Sequence, residues 1–455
     1  MHAFTLLFLT LLALSTAIHL WLAQRQSAHV TRHREHVPAP FEGRIPLAAH
    51  RRAADYTLAK NRLGRLELIA GTCLLLAWTA GGGLTLLDGG ARTLAWSPVW
   101  TGIAVILAMT LINGVLTLPI DSYRTFKLEA GFGFNRTCLN TYITDKLKGI
   151  GLTLALGIPL LWTVLTLMET SGGYWWLWVW LVWTGFTVLM MWAFPKFIAP
   201  LFNHFQPLPD NTLRQRIAGL LQRCGFTNQG VFVMDGSKRS GHGNAYFTGF
   251  GRNKRIVFFD TLLASLNERQ IEAVLAHELG HFHHRHIRTH AIVISSVTLI
   301  ALALLGWLIE TPWFYAGLGV DRPSTYLALA LLIIAGPVFG FWITPLNAML
   351  ARRHEFAADA YAARQTNAAD LMSALVKLYQ DNAATLTPDP LHSAYYDSHP
   401  PAPVRIARLQ AQHRNTNRHL SSHHNRRETP CAPSSPPASS HSSSVTPHRP
   451  SDRKQ

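Results

Sequence analysis

The chain has 455 residues, with 41 Lys and Arg against 25 Asp and Glu, a formal net charge of +16. Only 15% of residues are charged, against about 25% in a typical soluble domain, and 14 Trp and 22 Phe are present. Those figures exclude a fully soluble or disordered chain. The four cysteines, scattered without a CxxC pair, exclude a disulfide scaffold and a Cys-type zinc ribbon.

A helix that crosses a bilayer needs about 20 mostly apolar residues. Seven runs meet that need: Ala3–Ala23, Leu68–Leu87, Pro98–Leu118, Ile150–Met168, Trp175–Phe194, Ala291–Ile309 and Tyr326–Thr344. None contains Lys, Arg, Asp or Glu, and His19 and Asn113 are the conspicuous polar exceptions. The first run has no basic residue before it and Arg25, Arg32 and Arg34 after it, so it reads as an anchor and not as a cleaved signal peptide.

Basic residues alternate from loop to loop. Nine follow the first span, one the second, five the third, none the fourth, twelve the fifth, one the sixth, and thirteen lie beyond the seventh. The positive-inside rule then places the N-terminus outside, the C-terminus in the cytoplasm, and the long fifth loop on the cytoplasmic side. The same alternation weakens a nucleic-acid reading, because the charge is not gathered on one face or helix. The fold class expected is mostly α: a polytopic membrane protein of about seven spans with a cytoplasmic metalloprotease domain that holds a small β-sheet. Five regions follow: spans one to five (1–194), a catalytic segment (195–290), spans six and seven (291–346), a second catalytic segment (347–410), and a disordered Ser-, Pro- and His-rich tail (411–455).

Within the fifth loop, Asp210–Gly225 reads as an amphipathic helix. Three short apolar runs follow, Val231–Asp235, Asn244–Phe250 and Ile256–Asp260, with Gly251–Asn253 as a hairpin turn before the last. Ser265 and Glu268 fit a capping box that opens a helix over Arg269–His290. On it lies His277-Glu278-Leu279-Gly280-His281. Histidines at i and i+4 share a helix face and can bind one Zn²⁺, while the glutamate beside them can take a proton from the attacking water.

A catalytic zinc needs a third protein ligand. His284 is a poor one, since seven residues from His277 span about 10 Å of helix rise. The other candidate is Glu355, 74 residues past His281, with Asp359 one turn further on. On spacing alone this pair reads equally as a ligand with its hydrogen-bonding support or as two surface carboxylates among arginines.

Together the residues resemble the type I CAAX prenyl proteases, seven-span integral-membrane zinc metallopeptidases of the HExxH type. The resemblance rests on Phe126–Glu129 with Gly133–Thr137, Pro200–Asn203, Asn244–Phe247 running to Lys254–Val257 and Phe259–Thr261, His277–His281, Glu355–Asp359, and His399-Pro-Pro401 with Arg405. It implies one zinc per chain, held by His277, His281 and Glu355, with Glu278 as general base and Asp359 behind the ligands. It implies that Asn244, Ala245 and Tyr246 hold the substrate backbone, and that His399 and Arg405 lie near the scissile bond. The expected activity is hydrolysis of peptide or membrane-protein substrates in contact with the bilayer, with no nucleic-acid partner. The family's wide distribution makes a bacterial inner membrane the expected location, rather than the ER. Ala357 stands where the family usually carries Gln, and the long tail is a second departure. Two other functions remain: membrane-protein quality control without prenylated substrates, and an inactive polytopic scaffold or transporter.

Overall fold

The computed structural model describes residues 3–226, 230–248 and 254–425, with the side chains of its last helix given as far as Arg414. The expected turn at Gly251–Asn253 and residues 426–455 of the expected tail lie outside these. Among the described residues the first helices in chain order are α1 (Ala3–Arg32), α2 (Leu47–Trp78), α3 (Gly83–Arg92), α4 (Pro98–Tyr123), α5 (Leu139–Thr170) and α6 (Trp175–Ala193). A short α7 (Ala199–Phe202) leads to β1 (Phe205–Pro207), α8 (Thr212–Arg223), β2 (Val231–Met234), β3 (Ala245–Thr248) and β4 (Arg255–Phe259). Then come α9 (Asp260–Ser265), α10 (Glu268–His283), α11 (His286–Leu308), α12 (Pro312–Gly317), α13 (Thr325–Gly340), α14 (Thr344–Gln365), α15 (Ala368–Asp381), α16 (Pro390–Tyr396) and α17 (Ala402–Asn425).

Among the described residues six helical segments are long and apolar enough to cross a membrane, or seven if the pair α2 and α3 counts as one span. That pair corrects the second expected run, which is not one straight helix. It bends by 50° at Thr79–Gly82. The cause is local: Gly81, Gly82 and Gly83 follow one another, and Gly82 takes a left-handed φ of 72° that side chains resist. Both polar exceptions within the spans are paired. Asn113 accepts from the Trp78 indole N–H at 2.7 Å, and the His19 ring meets the Tyr396 hydroxyl.

Among the described residues two large apolar cores form, with a smaller one around Tyr56, Leu128 and Phe134. One lies among the spans, where Phe8, Leu84, Ile106, Leu165, Leu305 and Leu331 are buried together. The other joins α8, β4, α10, α15 and α17 through Ile217, Phe258, Leu275, Leu375 and Ile406. The sheet has the order β1-β2-β4-β3, with β2 parallel to β4 and the outer two pairings antiparallel. Three strands fall on the three short apolar runs. β1 was not expected, because three residues are too short a run to read. β3 is an edge strand, so one side of its backbone stays open for pairing.

Three helix boundaries differ from expectation. The capping box at α10 is Asn267 with Gln270: the Asn267 side chain accepts from the Gln270 N–H and the Gln270 side chain accepts from the Asn267 N–H. Ser265 instead donates back to Leu262 O within α9. The helix expected to run to His290 stops at His283, and Arg285 turns the chain with a left-handed φ of 57° before α11 starts. α17 reaches Asn425, beyond the expected tail boundary at 411.

α10 and α14 pack closely, and Gly280 permits it. A Cβ at Gly280 would meet Ala358 Cα at 2.8 Å and Ala358 O at 3.0 Å, both backbone atoms that cannot step aside. Gly280→Ala should therefore destabilise the protein by about 1–3 kcal/mol through overpacking. Thermal unfolding of the purified protein in detergent measures this, and an unchanged midpoint would refute the packing argument.

Candidate metal centre

His277 and His281 project from one face of α10, and α14 lays Glu355 against them. His277 Nε2 and His281 Nε2 are 3.2 Å apart. Glu355 Oε1 lies 3.1 Å from His281 Nε2, and Oε2 lies 3.5 Å from His277 Nε2. One atom from each residue is within 4.8 Å of the others, the spacing of ligands around one metal ion. Glu355 and His277 are buried, and Glu355 Oε2 makes no aligned hydrogen bond among the described residues. His399 Nδ1 at 2.8 Å and an Arg405 guanidinium nitrogen at 3.5 Å approach it without completing one. A buried carboxylate oxygen without a donor is costly, and a cation between the three side chains removes that cost. The donor set therefore fits a metal. His284 is not part of it: it caps the end of α10, beside His283 and Tyr361.

Behind the cluster runs a buried ionic chain. His277 Nδ1 is 2.9 Å from Asp359 Oδ1. Asp359 in turn accepts two bonds from Arg405, Nε to Oδ2 at 2.9 Å and Nη2 to Oδ1 at 2.6 Å. This bidentate geometry is the strong form of the pair. Burial opposes the charge on Arg405, but Asp359 outweighs it and holds the guanidinium above its usual value. Arg405 thus faces the carboxylates from within the protein, with its side chain only 6% exposed.

Glu278 follows His277 on α10, and burial raises its carboxyl above the ordinary range. His399 is exposed on the other side of Glu355, and the nearby carboxylate raises the imidazole. Ala245 and Tyr246 lie on β3, paired with Phe258 and Val257. Asn244 sits just before the strand, exposed, with its carbonyl accepting from Phe259 N–H at 3.0 Å. Its side chain folds onto the Ala245 N–H at 2.8 Å.

Sequence reasoning missed what holds that strand entry. A π-helical turn at Arg124–Glu129 and the loop after it dock on residues 239–243. Gly241 N–H donates to Phe134 O at 2.8 Å, and Arg136 N–H to Arg239 O at 3.1 Å. His242 stacks on Phe134 at 4.1 Å, and Asn382 accepts from Gly243 N–H at 3.0 Å. Arg239 bridges to Asp145 at 2.7 and 2.9 Å and to Asn203 at 2.8 Å. The sequence signals were Phe126–Glu129, Gly133–Thr137 and Pro200–Asn203, which carry the family resemblance but were given no role.

Two histidines and a glutamate poised for a metal on crossed helices, beside an open strand edge in a chain of spanning helices, define a membrane metallopeptidase. Residues 26–204 match the family described as CAAX prenyl protease N-terminal, five membrane helices, and residues 207–413 match peptidase family M48. The CAAX prenyl protease 1 homolog of Arabidopsis thaliana is 35% identical over 332 residues, 69% of this chain and 75% of its own length. CAAX prenyl protease 1 of Saccharomyces cerevisiae is 35% identical over 319 residues, 66% of this chain and 70% of its own. The crystal structure of S. mikatae Ste24p matches with a TM-score of 0.83 at 28% identity, covering 90% of this chain and 99% of that one. The chain belongs to the CAAX prenyl protease family of M48 peptidases and is a membrane metalloendopeptidase of that type.

The ionic chain yields a quantitative expectation. Arg405→Met leaves Asp359 buried and unpaired, and should cost about 3–5 kcal/mol of stability. Pairing it with Asp359→Asn should recover part of that loss in a double-mutant cycle read by thermal unfolding. Strictly additive losses would mean that the two groups do not support each other.

Proposed function

We propose that the chain is a zinc endopeptidase that cleaves prenylated CAAX-type carboxyl termini on the cytoplasmic face of its membrane. In this reading the N-terminus lies outside and the C-terminus inside, as the alternation of basic loops favours. The observation that carries the metal assignment is the triangle of His277, His281 and Glu355, with edges of 3.2, 3.1 and 3.5 Å. Ligands about 2.0–2.1 Å from a tetrahedral zinc lie about 3.3 Å apart. When bound, zinc polarises the scissile carbonyl and lowers the pKa of water to about 7.

The remaining roles belong to the chain. Glu278 receives the proton of the attacking water and delivers it to the leaving amine. Asn244, Ala245 and Tyr246 hold an extended substrate along the open edge of β3 by strand addition. His399, exposed beside Glu355, donates to the oxygen that gains charge in the transition state. Asp359 and Arg405 position: one orients the His277 ring, the other keeps that carboxylate ionised.

A prenylated substrate suits the cavity next to the ligands. It measures about 420 Å³, a size typical of small-ligand sites. His281, Glu355 and His399 form one end, and Trp183, Val188 and Ile294 of α6 and α11 form much of the rest. A lipid chain on the residue at the scissile bond would find an apolar wall there.

Glu278→Gln should keep one zinc per chain and lose about 10²–10⁴-fold in cleavage rate. Glu355→Ala should lose the zinc; retained stoichiometry would sink the ligand assignment. Cleavage rates of farnesylated and unmodified CAAX peptides of one sequence test the substrate. A large preference for the farnesylated peptide supports the proposal. Equal rates, with cleavage of misfolded membrane proteins, point to quality control, and zinc binding without any cleavage points to an inactive scaffold.

A further inference from the structure

The two histidines of the metal cluster are supported differently. Behind His277 stands the Asp359 carboxylate. Behind His281 Nδ1, among the described residues, stands a third imidazole: His281 Nδ1 and His286 Nδ1 are 3.0 Å apart. His286 is 8% exposed, and its ring lies flat on His354, with centroids 3.9 Å apart and planes within 11°. His284 stacks nearby at 5.5 Å.

The backbone explains how His286 gets there. It is the first residue of α11, and the left-handed turn at Arg285 brings it back under α10. A non-glycine residue in that region is unfavourable, and the surrounding structure must sustain it. The ring is then fixed on one face by His354 of α14 and at its edge by His281.

We infer that His286 is a positioning residue for the metal: its Nδ1 accepts the Nδ1–H of His281 and so presents His281 Nε2 to the ion. This rests on the zinc reading above and goes beyond it by assigning the second ligand its support. A ligating imidazole needs its free N–H engaged, which fixes tautomer and ring orientation together. His286 must then carry its own proton on Nε2. The first residue of a membrane-spanning helix thereby becomes part of the apparatus that holds the metal.

The test compares three variants of the full-length protein in detergent by zinc competition against a chromophoric chelator. The wild type must first bind one equivalent, and Glu355→Ala must lose it. Failure of those controls refutes the zinc reading, not this inference. His286→Phe keeps a flat ring against His354 but removes the acceptor, and should weaken zinc affinity about 10–100-fold. His286→Asn loses the stacked ring but keeps an acceptor close to the Nδ1 position, and should stay within about threefold of the wild type. Because the two changes separate packing from hydrogen bonding, a purely structural role predicts the opposite order. Wild-type affinity in His286→Phe, or a His286→Asn variant as weak as Glu355→Ala, overturns the assignment. If His286→Phe does not accumulate, the affinity of His286→Asn decides alone.

Discussion

The contact between α10 and α14 at Gly280 and Ala358 is the constraint on which the metal centre depends. Three donor atoms must converge within a few ångströms, and they come from two helices, with His281 and Glu355 74 residues apart in sequence. Rigid elements place side chains more accurately than loops do. Any residue larger than glycine at position 280 would drive α14 outward and take Glu355 with it. The glycine inside the HExxH segment is there for helix approach, and the chemistry benefits indirectly.

Around that contact the protein gathers charge that it could not otherwise bury. Asp359, Arg405, Glu355 and His277 are all at least nine-tenths buried and lie in sequence from α10 through α14 to α17. Each is tolerable only because the next is present, and the last member, Glu355, still lacks a full set of donors. The energetic imbalance points at the place where a cation belongs. The strand edge is held by different means, through the π-helical turn and loop after α4, which fix the entry to β3.

Much of this was legible in the sequence where periodicity or charge carries the signal. Uncharged runs gave the spans, short apolar runs gave three of the four described strands, and His277 with His281 gave the face of α10. Local chemistry was less legible. Asn267 and Ser265 are both good caps, and only the geometry of Gln270 decides between them. The break at Thr79–Gly82 sits inside an apolar run, where hydropathy is blind to direction. Glu355 could not be told from a surface carboxylate by spacing, because its partner helix comes from far along the chain. His242, Asn382 and His286 carry no motif of their own, and their roles exist only through contacts made in three dimensions.

The turn at Arg285 has a further consequence. Only His284 and Arg285 separate the end of α10 from the start of the apolar helix α11. The distance between the metal ligands and the beginning of the span is thus set by covalent geometry, and no linker can lengthen it. Under the proposed function, a peptide bond tethered close to the lipid is brought to those residues by its own anchor, whereas one far from the membrane, however accessible, lies beyond them.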